Sequence, residues 1–258
     1  MAPGLAPVGT LSRAWQATLD GAVYGQPLVL GDRVFAATEH DTVYALDAAT
    51  GRVLWSQHLG EPVPRSALPC GNVDPLGITG TMAYDKTTGL LFALAETTGG
   101  AHTLVSLDAA TGTVRERRAA EPPKGDRIAH QQRSALTVLD GQVYVSYGGL
   151  AGDCSRYFGS VVALPTTGAE PARTYAVPTT REAGMWTPGG AGRAGARRVG
   201  AGGGRPADDQ QGQDRSQRTG HRPMLPRRFR PCRWTVRAAR PPGPAPRTRH
   251  RTRRSSCR

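Results

Sequence analysis

The chain has 258 residues, a net charge of +13 and four cysteines, a length that admits one or two domains. No stretch approaches the ~18 consecutive apolar residues of a membrane-spanning helix. The charge is lopsided: residues 191–258 hold 19 Arg, no Lys and only Asp208, Asp209 and Asp214, so this segment carries +16 and residues 1–190 carry −3. An argument from global charge to nucleic-acid binding is therefore excluded for the body.

Residues 1–10 are expected to be disordered. Met1-Ala2-Pro3-Gly4-Leu5-Ala6-Pro7 shows neither a basic segment nor a long apolar one, so no signal peptide is visible. Residues 11–19 read as a lone outermost strand carrying Trp15. Four strands follow at 27–30, 33–38, 42–47 and 52–58, then four at 79–85, 90–96, 103–108 and 113–118, then four at 134–139, 142–147, 159–164 and 173–177. The first two strands of each set are joined by Gly31-Asp32, Thr88-Gly89 and Asp140-Gly141, which suit tight hairpins.

These sets are repeats. Val43-Tyr44-Ala45-Leu46-Asp47-Ala48-Ala49-Thr50-Gly51 recurs as Leu104-Val105-Ser106-Leu107-Asp108-Ala109-Ala110-Thr111-Gly112, and Asp85 to Gly89 is a shorter version. Trp15 and Trp55 lie forty residues apart in matching contexts, about the length of one four-stranded propeller blade. In Asp-x-x-Thr-Gly the Asp accepts backbone N–H bonds within the turn and the Gly supplies positive φ. Asp47, Thr50, Gly51, Asp85, Gly89, Asp108, Thr111 and Gly112 are therefore read as structural.

The expected fold is all-β: an incomplete β-propeller of about three and a half four-stranded antiparallel blades. Blades cover 26–58, 79–118 and 134–177, a fourth starts at 184–190, and the whole unit spans 11–190. Residues 191–258 are expected to form a disordered Arg/Gly/Pro-rich tail, since five scattered large aliphatic and aromatic residues (Val199, Leu225, Phe229, Trp234, Val236) cannot offset the entropy of ordering it. The abrupt change after Gly190 has the composition of a GC-rich gene read out of frame. The other reading is a genuine basic tail with non-specific polyanion binding.

The pattern at 43–55 resembles the repeat of PQQ-binding-like β-propeller proteins, a quinoprotein-type superfamily akin to WD40 and YVTN propellers. Cys70-Gly71-Asn72-Val73-Asp74-Pro75, Tyr147 to Cys154 and Gly184 to Gly190 resemble a secreted, actinobacterial-type branch of it. The resemblance implies seven or eight blades in a closed ring and a secreted or cell-envelope location. It implies the fold more strongly than an activity.

Propeller topology places the loops between second and third strands, and those between blades, on one face. That face collects His40, Asn72, Asp74, His102, His130, Gln131, Gln132, Asp153 and Tyr157 as a candidate rim. Cys70 and Cys154 fall on the same face: in an exported protein they can form a disulfide, and otherwise they are two free thiols. Asn72 and Asp74 are oxygen donors two apart, suited to calcium or to an Asx turn. No catalytic residue, metal site or Cys-Cys pair is identified, and neither PQQ nor calcium is expected as a cofactor. The leading expectation is a non-enzymatic scaffold binding a protein or an envelope polymer; the alternative is a fragment of a PQQ-dependent quinoprotein dehydrogenase.

Overall fold

The computed structural model describes residues 12–186. The proposed tail at 191–258 and the N-terminal segment 1–10 lie outside them, as do the last residues of the fourth-blade start.

The described chain is all β, arranged as three antiparallel four-stranded sheets of consecutive strands. Blade one is β1 (Leu28–Leu30), β2 (Arg33–Ala37), β3 (Thr42–Asp47) and β4 (Val53–His58). Blade two is β5 (Ala83–Asp85), β6 (Leu90–Thr97), β7 (Ala101–Asp108) and β8 (Val114–Ala119). A two-residue strand, β9 (His130–Gln131), precedes blade three, which is β10 (Thr137–Leu139), β11 (Gln142–Gly149), β12 (Ser160–Pro165) and β13 (Arg173–Ala176).

Two expectations need correction. Residues 12–19 form no strand, because the described chain offers them no ladder partner; Trp15 docks on blade one without one. The first strands of blades two and three begin at Ala83 and Thr137, several residues later than the apolar pattern suggests. Their lead-in segments bond to neighbouring elements instead: Leu136 donates to the Thr81 carbonyl at 2.9 Å, and β9 pairs with Gly148 and Gly149 at the end of β11.

Alternating side chains fill two seams. Phe35, Val43 and Ala45 of blade one meet Leu91, Ala93, Val105 and Leu107 of blade two. Phe92, Leu94 and Leu104 meet Val143, Val145, Tyr147, Val162 and Leu164 of blade three. At the far rim each repeat turn closes as its sequence dictates. Asp47 Oδ1 accepts from the Ala49 and Thr50 amides and from Thr50 Oγ1, at 3.1, 2.8 and 2.7 Å. Asp108 repeats this pattern and also binds Arg115, which holds its carboxyl down at about 2.

Trp55 locks the Gly112 turn to the preceding blade, and Trp15, ahead of the first strand, caps the Gly51 turn. Trp15 lies over Gly51 and its Nε1 donates to the Ala48 carbonyl at 2.8 Å. Trp55 lies over Gly112 in the same way. Its Nε1 is buried without a partner, because the corresponding Ala109 carbonyl is bound by Arg33 Nη1 at 3.1 Å. Blade two carries Glu116 where blade one has Trp55. There Arg118 reaches forward instead, donating to the carbonyls of Pro165, Gly168 and Glu170 in blade three.

Candidate functional site

The inter-blade loops and the β2–β3, β6–β7 and β11–β12 connections converge on one face. Cys70 and Cys154 are joined there by a disulfide, with Cα atoms 6.0 Å apart at a sequence separation of 84. Val63, Leu68, Val73, Leu76 and Leu150 form a small core around it, with Ile128 against them. Short bridges lace the same layer: Pro62 to Thr97, Val63 to Leu76, and the Leu150 amide to the Ala129 carbonyl at 3.2 Å.

The rim residues divide by what they touch. Asn72 is exposed. Asp74 is exposed, but its Oδ1 accepts the Arg65 amide at 3.0 Å, while Arg65 clasps the Gly71 and Leu68 carbonyls. Those bonds hold the loop in shape. His40 is half-buried and packs against Gly21, where an added Cβ would stand 3.3 Å from its ring. Asp153 accepts the Tyr157 hydroxyl at 2.6 Å, within one loop. Burial pushes the Tyr157 phenol up, and this bond adds to the shift.

His102 and His130 are not on the surface. β7 begins at Ala101, two residues before the expected strand, so His102 enters the ladder opposite Glu96 and is 1% exposed. Its Nδ1 lies 3.1 Å from Glu121 Oε2, its Nε2 lies 3.8 Å from Glu96 Oε2, and its ring meets Tyr147 edge-on at 5.1 Å. Burial raises the Glu121 carboxyl, but the bonds from His102 outweigh it and leave Glu121 below its ordinary value. His130 sits under the blade-three loop. Its Nε2 accepts the Phe158 amide at 3.1 Å, which fixes Nδ1 as the protonated nitrogen, donating to the Asp126 carbonyl at 2.8 Å. Burial depresses its pKa, so the ring is held neutral. Gln131 and Gln132 are buried as well.

The sequence reading missed three buried acids, Glu39, Asp41 and Glu96. Glu39 Oε2 accepts the Gly77 amide at 2.8 Å and Thr79 Oγ1 at 3.1 Å. Glu96 Oε1 accepts the Gln132 amide at 2.6 Å. Each glutamate thus clamps the segment leading into the next blade, 38 and 36 residues away. The signal was in the repeat: Phe35-Ala36-Ala37-Thr38-Glu39 and Phe92-Ala93-Leu94-Ala95-Glu96 share one spacing. Blade three has Gly148 there, and the Trp186 indole lies against it.

Burial, chiefly, raises Glu96 well above 4.5. The folded state then holds a proton that the unfolded chain releases, so this contribution weakens as pH rises above the ordinary carboxylate range. Glu96→Gln keeps the acceptor for Gln132 and removes the ionisation. Urea midpoints from pH 5 to 8 should move in favour of the variant as pH rises; a constant difference between the two proteins contradicts the assignment.

Residues 10–176 match the family described as outer membrane protein assembly factor BamB. Polyvinylalcohol dehydrogenase of Sphingopyxis sp. (strain 113P3) is 32% identical over 168 residues, which is 62% of this chain and 23% of that protein. Quinohemoprotein alcohol dehydrogenase of Comamonas testosteroni aligns in structure over 64% of this chain and 23% of that one, at 25% identity and TM-score 0.49. BamB of Moraxella catarrhalis aligns over 59% of this chain and 51% of that one, at 15% identity and TM-score 0.39. The chain thus spans under a quarter of the length of the curated dehydrogenase it matches.

Proposed function

Because the chain belongs to the PQQ-repeat propeller family described as outer membrane protein assembly factor BamB, we propose that it is a non-enzymatic binding module of the cell envelope. Its disulfide-tied loop face is the docking surface, for a protein or an envelope polymer. One observation carries this reading: His102, His130, Asp74 and Asp153 on that face are all committed to holding the blades and loops together. Their bonds give the loop face a fixed shape instead of leaving these four groups unengaged. The family suggests a periplasmic or envelope location, and a structural disulfide suits an oxidising compartment. No described helix is long and apolar enough to cross a membrane.

The 32% identity to polyvinylalcohol dehydrogenase favours a second reading, part of a quinoprotein dehydrogenase. A quinone with a calcium ion needs several converging oxygen donors beside its carboxylates. The described rim does not fit that need: Asn72 and Asp74 are exposed, with Asp74 already bound to the Arg65 amide. We assign no catalytic step.

Two assays on the full chain separate the readings. Co-sedimentation with washed cell-envelope fragments should retain the oxidised protein and release it on reduction. Incubation with PQQ and calcium, followed by gel filtration, should leave no quinone absorbance. Retained quinone together with alcohol-dependent dye reduction overturns the scaffold reading.

A further inference from the structure

The two clamping glutamates differ in how their second oxygen is met. In blade two, Glu96 Oε2 faces the His102 ring at 3.8 Å. In blade one, Glu39 Oε1 is buried with no hydrogen-bond partner, and so are both carboxyl oxygens of Asp41 in the same β2–β3 turn. The two residues are 2% and 0% exposed. The backbone holds Asp41 in place. Its φ is 54, a left-handed conformation that Asp tolerates better than most residues. Its amide donates to the Thr38 carbonyl at 3.0 Å, and its carbonyl accepts the Leu59 amide at 2.8 Å.

Both carboxyls stand at the seam with the lead-in of blade two. The Gly77 amide and the Thr79 hydroxyl donate to Glu39 Oε2 at 2.8 and 3.1 Å, and a Cβ on Gly77 would stand 3.0 Å from Asp41 Oδ1. Leu76, one residue before Gly77, belongs to the disulfide-tied core, so seam and loop layer join here. The charged groups that act on the pair are Glu61 after β4, Glu96 at the end of β6, Arg117 on β8 and Arg133 ahead of blade three. Arg117 is bound to the Leu59 carbonyl at 2.6 Å and Arg133 is exposed. On the N-terminal side, Asp20 is engaged by the Thr38 hydroxyl at 2.7 Å, and His40 in the turn itself packs on Gly21. A carboxyl buried without a cation or enough donors keeps its proton. Burial, chiefly, raises Glu39 to about 7 against the lowering effect of its Gly77 and Thr79 bonds. Burial raises Asp41 to about 9, with the charges of Glu39 and Glu61 adding to it.

We propose that Glu39 and Asp41 form a proton-operated latch across the seam between blades one and two. With both carboxyls protonated, the β2–β3 turn and the Gly77–Thr79 segment stay closed on each other. Ionisation puts two like charges side by side in the seam, and they reach water by releasing that segment from the turn. The closed seam holds protons that the open one gives up. Closure is therefore fully favoured below the ordinary carboxylate range and loses that advantage as pH rises through about 7 and then about 9.

The test is amide hydrogen exchange of the oxidised full chain from pH 5 to 9, corrected for the intrinsic exchange rate at each pH. The Leu59, Gly77 and Ile78 amides, bonded to Asp41, Glu39 and Thr38, should lose at least tenfold in protection over that range relative to the amides of β3. Glu39→Gln combined with Asp41→Asn keeps an acceptor for Gly77 and removes both ionisations, so it should flatten the profile. The proposal is overturned if the wild-type seam amides keep a constant ratio to those of β3, or if the double variant retains the wild-type pH dependence. The wild-type profile decides the matter even if the variant does not fold.

Discussion

Replacing Cys70 and Cys154 together by serine should lower the melting temperature by roughly 8–12 °C. The bond closes a loop spanning 84 residues, for which chain entropy gives about 4–5 kcal/mol before any native-state cost. A domain of this size loses about 2–4 °C per kcal/mol, and engineered or native bonds commonly deliver less than the nominal figure. The loss should be concentrated in the loop face. Without the bond, Val63, Leu68, Val73, Leu76 and Leu150 hold the layer with only a small core and a few bridges. Melting curves of the wild type with and without dithiothreitol provide the check, and the reduced wild type should melt with the double variant. Coincident oxidised and reduced curves would show that the layer is held by its packing alone.

Trp55→Ala should cost about 3 kcal/mol, at the low end for truncating a large aromatic side chain. Trp55 is half-buried and touches Phe35, with ring centroids 5.8 Å apart. Removing it also removes a buried N–H that has no partner, which offsets part of the loss. Gly112 makes the pair diagnostic. It sits at φ 76, and a Cβ there would lie 2.6 Å from the Trp55 ring. Gly112→Ala therefore combines backbone strain with a clash in the wild type, but only strain once Trp55 is gone. Denaturant midpoints for the two single variants and the double should show the double losing less than the sum. Strict additivity would mean that the indole does not rest on that turn.

The repeat turns were legible because their physics is local. Asp47 finds its partners at Ala49 and Thr50, and Asp108 finds its own at Ala110 and Thr111. The shared face of the loops was legible because alternating hairpins leave no other arrangement. That Cys70 and Cys154 share it followed, although their pairing depends on distances that only the folded loops set. The burial of the two histidines was not legible, for the opposite reason. His102 is buried because the β6–β7 ladder extends to Thr97 and Ala101, and His130 because β9 pairs with the end of β11. Both pairings join segments whose sequence gives no alternation signal. Arg118 taking the place of a docking tryptophan was equally hidden, since its acceptors are carbonyls about fifty residues away.

The disulfide and the inter-blade clamps are expected to hold the loop face as a rigid platform. Amide hydrogen exchange of the oxidised full chain, read by mass spectrometry before and after reduction, tests it most directly. The prediction is that the Val63, Leu76 and Leu150 amides, all hydrogen-bonded within the layer, exchange far more slowly than free chain, and lose that protection on reduction while β6, β7 and β11 keep theirs. Exchange of those loop amides at the free-chain rate in the oxidised protein would contradict it.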